Sequence, residues 1–206
     1  MPKKESPLTA LNSFLPEGSF EDVARYLHQY KVHLTITRER QTILGNYRNK
    51  VFDKNHRISI NGNLNKYSFL ITLLHELAHL LAHEKYGNRI QAHGKQWKEE
   101  YTRILSEFIP KKIFPADIER SLLVSLNNPA ATSCAEPHIT RTLKKYDAKK
   151  EGYFFVEELP AGSLFKLNSG AIFKKGERIR KRFKCTEVAT KKVYLFSPVY
   201  EVEKVG

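Results

Sequence analysis

The sequence predicts an α+β chain in which a mixed N-terminal domain, built around one central helix, precedes a small antiparallel β module. The apolar segment at 66–85 has helical spacing and almost no polar face, which is typical of a buried helix. Short alternating runs come before it, and closely spaced β-like runs separated by turn residues follow residue 147. The 206 residues suffice for one sizeable core and a small second module.

The elements before the central helix follow from local patterns. Residues 19–22 read as a capping box, which opens a helix whose apolar residues recur at helical spacing over 20–30. Apolar and polar residues then alternate over 32–37, which predicts a half-buried strand. Two further strands are expected at 43–47 and 57–61, the last after a polar turn.

Three more helices are expected after the central one. Gly87 is the expected stop of the central helix, because glycine is favoured just past a helix end. Apolar residues recur at helical spacing over 97–108, and Pro110 ends that helix. Short helices are predicted at 117–126 and 139–146.

The last part of the chain is predicted to be β-structured. Its apolar and aromatic runs are short, and turn residues such as those at 168–170 separate them. The predicted strands lie at 153–159, 163–167, 171–173, 180–185 and 192–196. The predicted organisation is a mixed domain around the central helix at 1–112, a helical connector at 113–150 and a basic β module at 151–206.

The net charge is +13 and is unevenly distributed along the chain. Residues 141–206 carry 16 basic and 8 acidic residues, a net +8. This asymmetry favours a polyanionic partner, nucleic acid first, over the alternative of a merely solvated basic surface. The basic residues between 174 and 184 are the candidate nucleic-acid contacts: Lys174, Lys175, Arg178, Arg180, Lys181, Arg182 and Lys184. Aromatic residues nearby would favour single-stranded DNA, whose bases are free to stack.

The composition also excludes several classes of protein. Two cysteines, Cys134 and Cys185, cannot form a disulfide framework or a four-cysteine zinc site. No apolar run approaches the length of a membrane span, and the first residues lack the apolar segment of a signal peptide. We therefore expect a cytoplasmic protein with reduced thiols and no membrane partner.

The central helix contains the sequence His75-Glu76-Leu77-Ala78-His79, an HExxH pattern. Histidines four residues apart lie about 40° apart around a helix and one turn apart along it, so both can bind one ion. Neutral imidazoles suit zinc, and the pattern assigns Glu76 as general base of a metallopeptidase. Leaving these groups buried without partners would cost several kcal/mol, on the order of the desolvation penalty of each.

A catalytic zinc site requires a third protein ligand and an open fourth position. His83 and Glu84 lie further along the same helix, too far for one ion in a straight helix. His93 follows the loop after Gly87 and opens the next helix, so a turn of the chain can return it to the metal. The remaining histidines, His28, His33, His56 and His138, are distant in sequence and are not expected to bind it.

Residues 68–79 and 92–97 together resemble the SprT-like, Spartan-related zinc metallopeptidases, with weaker similarity at 44–47 and 57–60. The resemblance covers residues 20–110, about half of the chain. It implies a zincin-like domain that holds one zinc through His75, His79 and His93, with Glu76 as the catalytic residue. The eukaryotic member of the family cleaves proteins crosslinked to DNA, which implies a protein or peptide substrate associated with DNA.

The chain departs from the family in its C-terminal part. Many SprT-like proteins carry a zinc ribbon with paired cysteines, and this chain has no C-x-x-C pair. The β module is therefore expected to be ribbon-like without its metal, or an unrelated small β fold. A second zinc site from Cys134, His138 and Cys185 is the less favoured alternative.

The rival interpretation is a non-enzymatic regulatory protein that binds zinc and nucleic acid. A structural zinc site is normally closed by four ligands, whereas the sequence offers three beside an intact Glu76. The sequence thus favours zinc-dependent peptide hydrolysis. The sequence does not identify the residue that would stabilise the oxyanion; Arg57 and Tyr101 are two candidates.

Overall fold

The computed structural model describes residues 6–40, 43–50, 54–126 and 136–205. Its backbone contacts divide the chain into two units, Met1–Asp147 and Ala148–Gly206, and each has its own apolar core. The expected α+β character is confirmed by five α-helices and two sheets among the described residues. No described helix has the length and hydrophobicity required to cross a membrane.

The first unit combines a three-stranded sheet with the helices. Strand β1 (Val32–Thr37) pairs in parallel with β3 (His56–Asn61), and β2 (Gly45–Arg48) pairs with β3 in the antiparallel sense, so β2 lies at an edge. The helices are α1 (Phe20–Gln29), α2 (Lys66–Tyr86), α3 (Lys95–Phe108), α4 (Ala116–Leu126) and α5 (Pro137–Lys144). Short 3₁₀ turns lie at Leu8–Ser13 and Ile109–Lys111.

Helix α2 is the centre of the first unit, as its apolar pattern predicts. Fourteen of its 21 residues are buried, because α3 packs on it and the strands β2 and β3 contact it as well. Asn65 begins the helix by accepting a hydrogen bond from the Ser68 backbone N–H at 2.9 Å. Gly87 ends it with a positive φ of 73°, a conformation that glycine adopts without strain.

Two features of the first unit differ from the sequence analysis. The capping box at the start of α1 is wrong: the Ser19 hydroxyl donates to the Pro16 carbonyl, and no side chain caps the helix. The residues predicted as a helical connector contribute to the core, since Ile118, Leu122, Ile139 and Leu143 are buried in the same apolar cluster as α2. The predicted boundary at residue 112 therefore falls within a continuous core.

The second unit is a six-stranded antiparallel sheet. Its strands are β4 (Tyr153–Phe155), β5 (Leu164–Lys166), β6 (Ile172–Ile179), β7 (Arg182–Glu187), β8 (Val193–Phe196) and β9 (Glu201–Val205), with a 3₁₀ turn at Val156–Glu158. The spatial order is β4-β9-β5-β6-β7-β8. Phe165, Phe173, Cys185 and Phe196 are among the residues of its core. Cys185 is a free, buried thiol, and Cys134 lies outside the described residues.

Strand β6 is longer than predicted and β9 was not predicted. The basic residues after Phe173 continue the strand through a bulge between Lys175 and Arg178. Gly176 permits the bulge, since a Cβ there would lie 2.5 Å from the Lys184 carbonyl oxygen. Strand β9 has one fully buried residue, Val202, among charged neighbours, which is too weak a pattern to read from sequence.

Candidate metal centre

Three histidines from two parts of the first unit converge on one point. The Nε2 atom of His93 lies 3.0 Å from Nε2 of His79 and 3.3 Å from Nε2 of His75. One nitrogen from each ring lies within 4.8 Å of the others, a spacing that one ion can bridge. Within the described ranges, this is the only group of three or more His, Cys, Asp or Glu side chains that could hold a metal.

The convergence depends on the turn between α2 and α3. His75 and His79 are one helical turn apart on α2, and the chain reverses after Gly87 to bring His93 opposite them. His93 immediately precedes Gly94, the N-cap of α3. The predicted third nitrogen is therefore placed beside the first two by the helix pair.

Burial keeps these imidazoles in the form that binds metal. Desolvation lowers the pKa of His75 to about 2, with His79 and His93 contributing, and lowers the pKa of His79 to about 4. The pKa of His93 is also lowered by burial. A neutral imidazole has a free nitrogen lone pair, so the three rings fit a zinc ion by both donor chemistry and spacing. Nδ1 of His75 is buried without a hydrogen-bond partner in the described part of the chain.

Two aromatic residues of α3 form a wall behind the histidines. The fully buried Trp97 ring lies 4.7 Å from His75, 5.3 Å from His79 and 4.8 Å from His93, measured between ring centroids. Tyr101 stacks on Trp97 at 5.0 Å and contacts His75 at 5.5 Å. The sequence analysis counted Trp97 only among the apolar residues of the helix at 97–108 and missed it as a site residue.

Glu76 is a buried carboxyl group beside the histidines. Only 5% of it is exposed, and burial raises its pKa to about 7. The charge of Arg40 and a hydrogen bond from the Tyr47 backbone N–H act in the opposite direction. A carboxyl group with a pKa near neutrality can both accept and return a proton.

Strand β2 can approach Glu76 only because residue 45 is glycine. A Cβ on Gly45 would lie 2.6 Å from Oε1 of Glu76 and 2.7 Å from Cγ2 of Thr72. Real Cβ atoms do not come this close, so any side chain would force either the strand or the side chains of Glu76 and Thr72 to shift. The sequence analysis placed Gly45 in a strand but gave it no role.

The alternative ligands on α2 have other contacts. His83 packs against the rings of Tyr47 and His56. Glu84 pairs with Lys50 at 3.0 Å. Neither belongs to the three-histidine group, in agreement with the geometric argument against three ligands on one straight helix.

The two oxyanion candidates lie in different environments. Arg57 is exposed between the buried residues His56 and Ile58 of β3, so it points to the sheet face opposite the buried one. Tyr101 is buried and touches the histidine group. The guanidinium of Arg40 lowers the pKa of Glu76, but it donates hydrogen bonds to Asn61, Ser59 and the Leu44 carbonyl.

The candidate nucleic-acid residues all lie on the β6–β7 hairpin. Six are exposed and have no side-chain hydrogen bond or ion pair within the described residues: Lys174, Arg178, Arg180, Lys181, Arg182 and Lys184. Lys175 is 5% exposed, and its ammonium group donates to the carbonyl oxygens of Glu157 and Leu159. Its Nζ also lies 4.3 Å from the Phe183 ring centroid. Lys175 therefore stabilises the fold of the second unit and is not part of its surface.

The aromatic residues of this hairpin are mostly inside the sheet. Phe173 is 3% exposed, and Phe183 is half-buried beneath Lys175. Tyr194 is 44% exposed but leans edge-on against Phe173. The strand register places Lys174 and Lys184 on the opposite face, beside the exposed Leu195. The cationic face is thus flanked by aliphatic side chains rather than by stacking rings.

Comparison with known proteins identifies the family to which the first unit is similar. Residues 15–120 match the SprT-like family, and this chain belongs to that family. Protein SprT of Pseudomonas putida KT2440 is 43% identical over 49 residues, which is 24% of this chain and 29% of that protein. Protein SprT of Pseudomonas entomophila is 30% identical over 81 residues, 39% of this chain and 48% of that protein. The chain thus spans less than half of the length of these curated relatives, and no solved structure matches it.

The close approach of Gly45 gives a testable expectation. Gly45→Ala should lower the free energy of unfolding by about 1–3 kcal/mol, because the added methyl group overlaps Glu76 and Thr72. Asn46→Ala is the matched control, since successive strand residues face opposite sides of the sheet, and should change stability by about 0.5 kcal/mol or less. Urea denaturation of both variants measures the difference. Equal stability of Gly45→Ala and the parent would contradict the close packing of β2 on α2.

Proposed function

We propose that the protein is a zinc-dependent metallopeptidase with a zincin-like catalytic domain. The observation that supports this most is the convergence of His75, His79 and His93 beside the buried Glu76. Three nitrogen ligands leave one position of a tetrahedral ion for substrate or solvent. No fourth His, Cys, Asp or Glu joins the group among the residues that the structure describes. An open site beside a buried carboxyl group is the arrangement that hydrolysis requires.

The roles of the chain's own residues follow from this arrangement. His75, His79 and His93 would hold the zinc ion, which when bound supplies the Lewis acidity that polarises the scissile carbonyl and activates water. Glu76 takes a proton from the attacking water and returns it to the leaving amine. Its raised pKa suits both steps, since the group gains and loses a proton near neutral pH. Trp97 and Tyr101 exclude water from one side of the histidines.

The edge strand β2 suits an extended peptide substrate. It pairs with β3 on one side only among the described strands, and the other side offers backbone donors and acceptors. Gly45 and Tyr47 place this strand directly against Glu76. A peptide that adds to the sheet at β2 would therefore run past the general base.

Zinc content is the first test. The purified protein should hold about one zinc per chain, and His75→Ala, His79→Ala or His93→Ala should each lose it. His83→Ala is the matched control, because this histidine lies one turn further along α2 and outside the group. Elemental analysis after dialysis measures the stoichiometry. Full zinc content in His93→Ala, with loss in His83→Ala, would assign the third ligand to His83 instead.

Glu76→Gln tests the chemistry separately from the metal. The amide keeps the shape of the side chain but cannot accept the proton, so peptidase activity should fall by about 10²–10⁴-fold. Zinc content and fold should be unchanged. Glu119→Gln, a carboxyl-to-amide change on α4, should retain the parent activity. A Glu76→Gln variant as active as the parent, on a substrate that the parent demonstrably cuts, would refute the role given to Glu76.

We further propose that the second unit binds DNA, so that the substrates are DNA-associated proteins. The support is electrostatic: six cations of one hairpin are exposed without counter-ions in the described residues, within a segment of net +8. Arg180 has a positive φ of 53° at the hairpin turn, where glycine would be less strained. A polyanion would relieve the mutual repulsion of these charges. A preference for single-stranded DNA requires exposed rings on which bases can stack. Phe173 is buried and Phe183 is covered by Lys175, so Tyr194 is the ring of this group that could supply the preference.

Replacing four hairpin cations tests this partner. Arg178, Arg180, Lys181 and Arg182 changed together to Ser should weaken DNA binding and reduce the salt slope by about 3, at about 0.7–0.9 for each phosphate contact. Zinc content should not change. The control replaces four exposed lysines of the first unit, Lys31, Lys54, Lys66 and Lys112, which removes the same charge elsewhere. Filter binding with single- and double-stranded DNA at several salt concentrations is the measurement. Identical slopes for the hairpin variant and the parent would eliminate this surface as the DNA site.

The rival function is a non-enzymatic regulator that binds zinc and nucleic acid. It shares the zinc and DNA predictions but not the chemistry. A parent protein that holds zinc and DNA yet cleaves no basic DNA-bound protein, with or without DNA, would favour the rival. The open three-histidine group argues against it, because structural zinc normally has four protein ligands.

A further inference from the structure

The proposed ligand His79 contacts a residue of β2 as well as Trp97. The rings of Tyr47 and His79 lie 2° from parallel, with their centroids 6.4 Å apart. Both residues are partly buried. A parallel neighbour at this distance restricts how far the imidazole can tilt about its side-chain bonds, so Tyr47 bears on the orientation of a metal ligand.

The hydroxyl group of Tyr47 forms a hydrogen bond with a buried histidine. It lies 2.9 Å from Nδ1 of His56, a residue that is 1% exposed. Nε2 of the same ring lies 3.3 Å from Oε1 of Glu84 without the geometry of a hydrogen bond, and Glu84 is itself paired with Lys50. The negative charge of the nearby carboxylate favours the tautomer of His56 with its proton on Nε2. Nδ1 then accepts the hydrogen bond that the Tyr47 hydroxyl donates.

Tyr47 also reaches the proposed general base. Its backbone lies near the Glu76 carboxyl group and favours the charged form of that group. One residue of β2 therefore bears on both a proposed metal ligand and the proposed base, through its ring and its backbone respectively. A residue that only filled space in the core would need neither the hydroxyl group nor its buried histidine partner.

We propose that Tyr47 is a positioning residue for the metal centre, held in place by His56 and Glu84 so that its ring fixes the plane of the His79 imidazole. This rests on the proposed function of the three histidines. Residues that support metal ligands from outside the coordination sphere set ligand orientation, and their loss typically weakens metal binding about 10–100-fold. His56 and Glu84, which do not bind the metal, thereby contribute to its affinity.

Cobalt(II) is a suitable probe because its visible absorption reports ligand geometry independently of activity. Tyr47→Leu, which removes both ring and hydroxyl, should raise the cobalt dissociation constant about tenfold or more and change the spectrum. Tyr47→Phe keeps the ring and should give a smaller effect, which His56→Gln should reproduce. The double variant Tyr47→Phe/His56→Gln should bind cobalt no more weakly than either single variant, because both changes remove the same hydrogen bond between Tyr47 and His56. Tyr67→Leu is the control, since this ring packs on Phe114 and Tyr146 instead.

The outcomes separate this inference from the proposed function. Parent-like cobalt affinity and spectrum in Tyr47→Leu and Tyr47→Phe would overturn the role of Tyr47, even if both variants are less stable to heat. Effects of Tyr67→Leu as large as those of Tyr47→Leu would also overturn it, because they would reflect general loss of packing. If Tyr47→Leu does not fold, Tyr47→Phe and His56→Gln decide. A parent protein that binds no cobalt through the histidines would refute the proposed function and this inference together.

Discussion

The burial of ionisable side chains on α2 is the constraint on which the first unit depends. His75, Glu76 and His79 lie on a helix that contacts α3, β2 and β3, and His75 and Glu76 are at most 5% exposed. Burying such groups in charged form is costly, so their environment must keep them neutral or give them partners. The lowered histidine pKa values and the raised pKa of Glu76 are the consequence. Burial of this one helix thus accounts both for the neutral imidazoles and for a carboxyl group whose pKa lies near neutral pH.

Helix α3 and strand β2 provide different partners for the buried side chains of α2. Helix α3 brings His93 and the Trp97 ring, which complete the donor set and close it with an apolar wall. Strand β2 brings a glycine and a backbone N–H, which let the sheet approach Glu76. Removing either element would leave buried polar groups without compensation, so fold and site are stabilised by the same contacts.

The sequence predicted the parts of the site that have a local signature. Helical periodicity identified α2, and the four-residue spacing of His75 and His79 identified their shared face. Assigning His93 as the third ligand required the inference that the chain turns back after Gly87. That assignment rested on the family resemblance as much as on the position of Gly87. Tyr47 and Trp97 carried no comparable signal, because strand pairing and helix packing between distant segments bring them to the histidines. The capping box at Ser19 failed because a hydroxyl group can bond backward to Pro16 as readily as forward.

The second unit shows why charge counted along a sequence differs from charge presented on a surface. Lys174 and Lys175 are adjacent in β6, yet one is exposed and the other donates to two backbone carbonyls inside the unit. Alternation along a strand produces this division, and it could not be assigned while residues 174–179 were left between two predicted strands. The family match ends at residue 120, before this unit begins. The DNA binding proposed for this unit therefore rests on its exposed cations and aliphatic edge, which favour contacts to phosphates over stacking on bases.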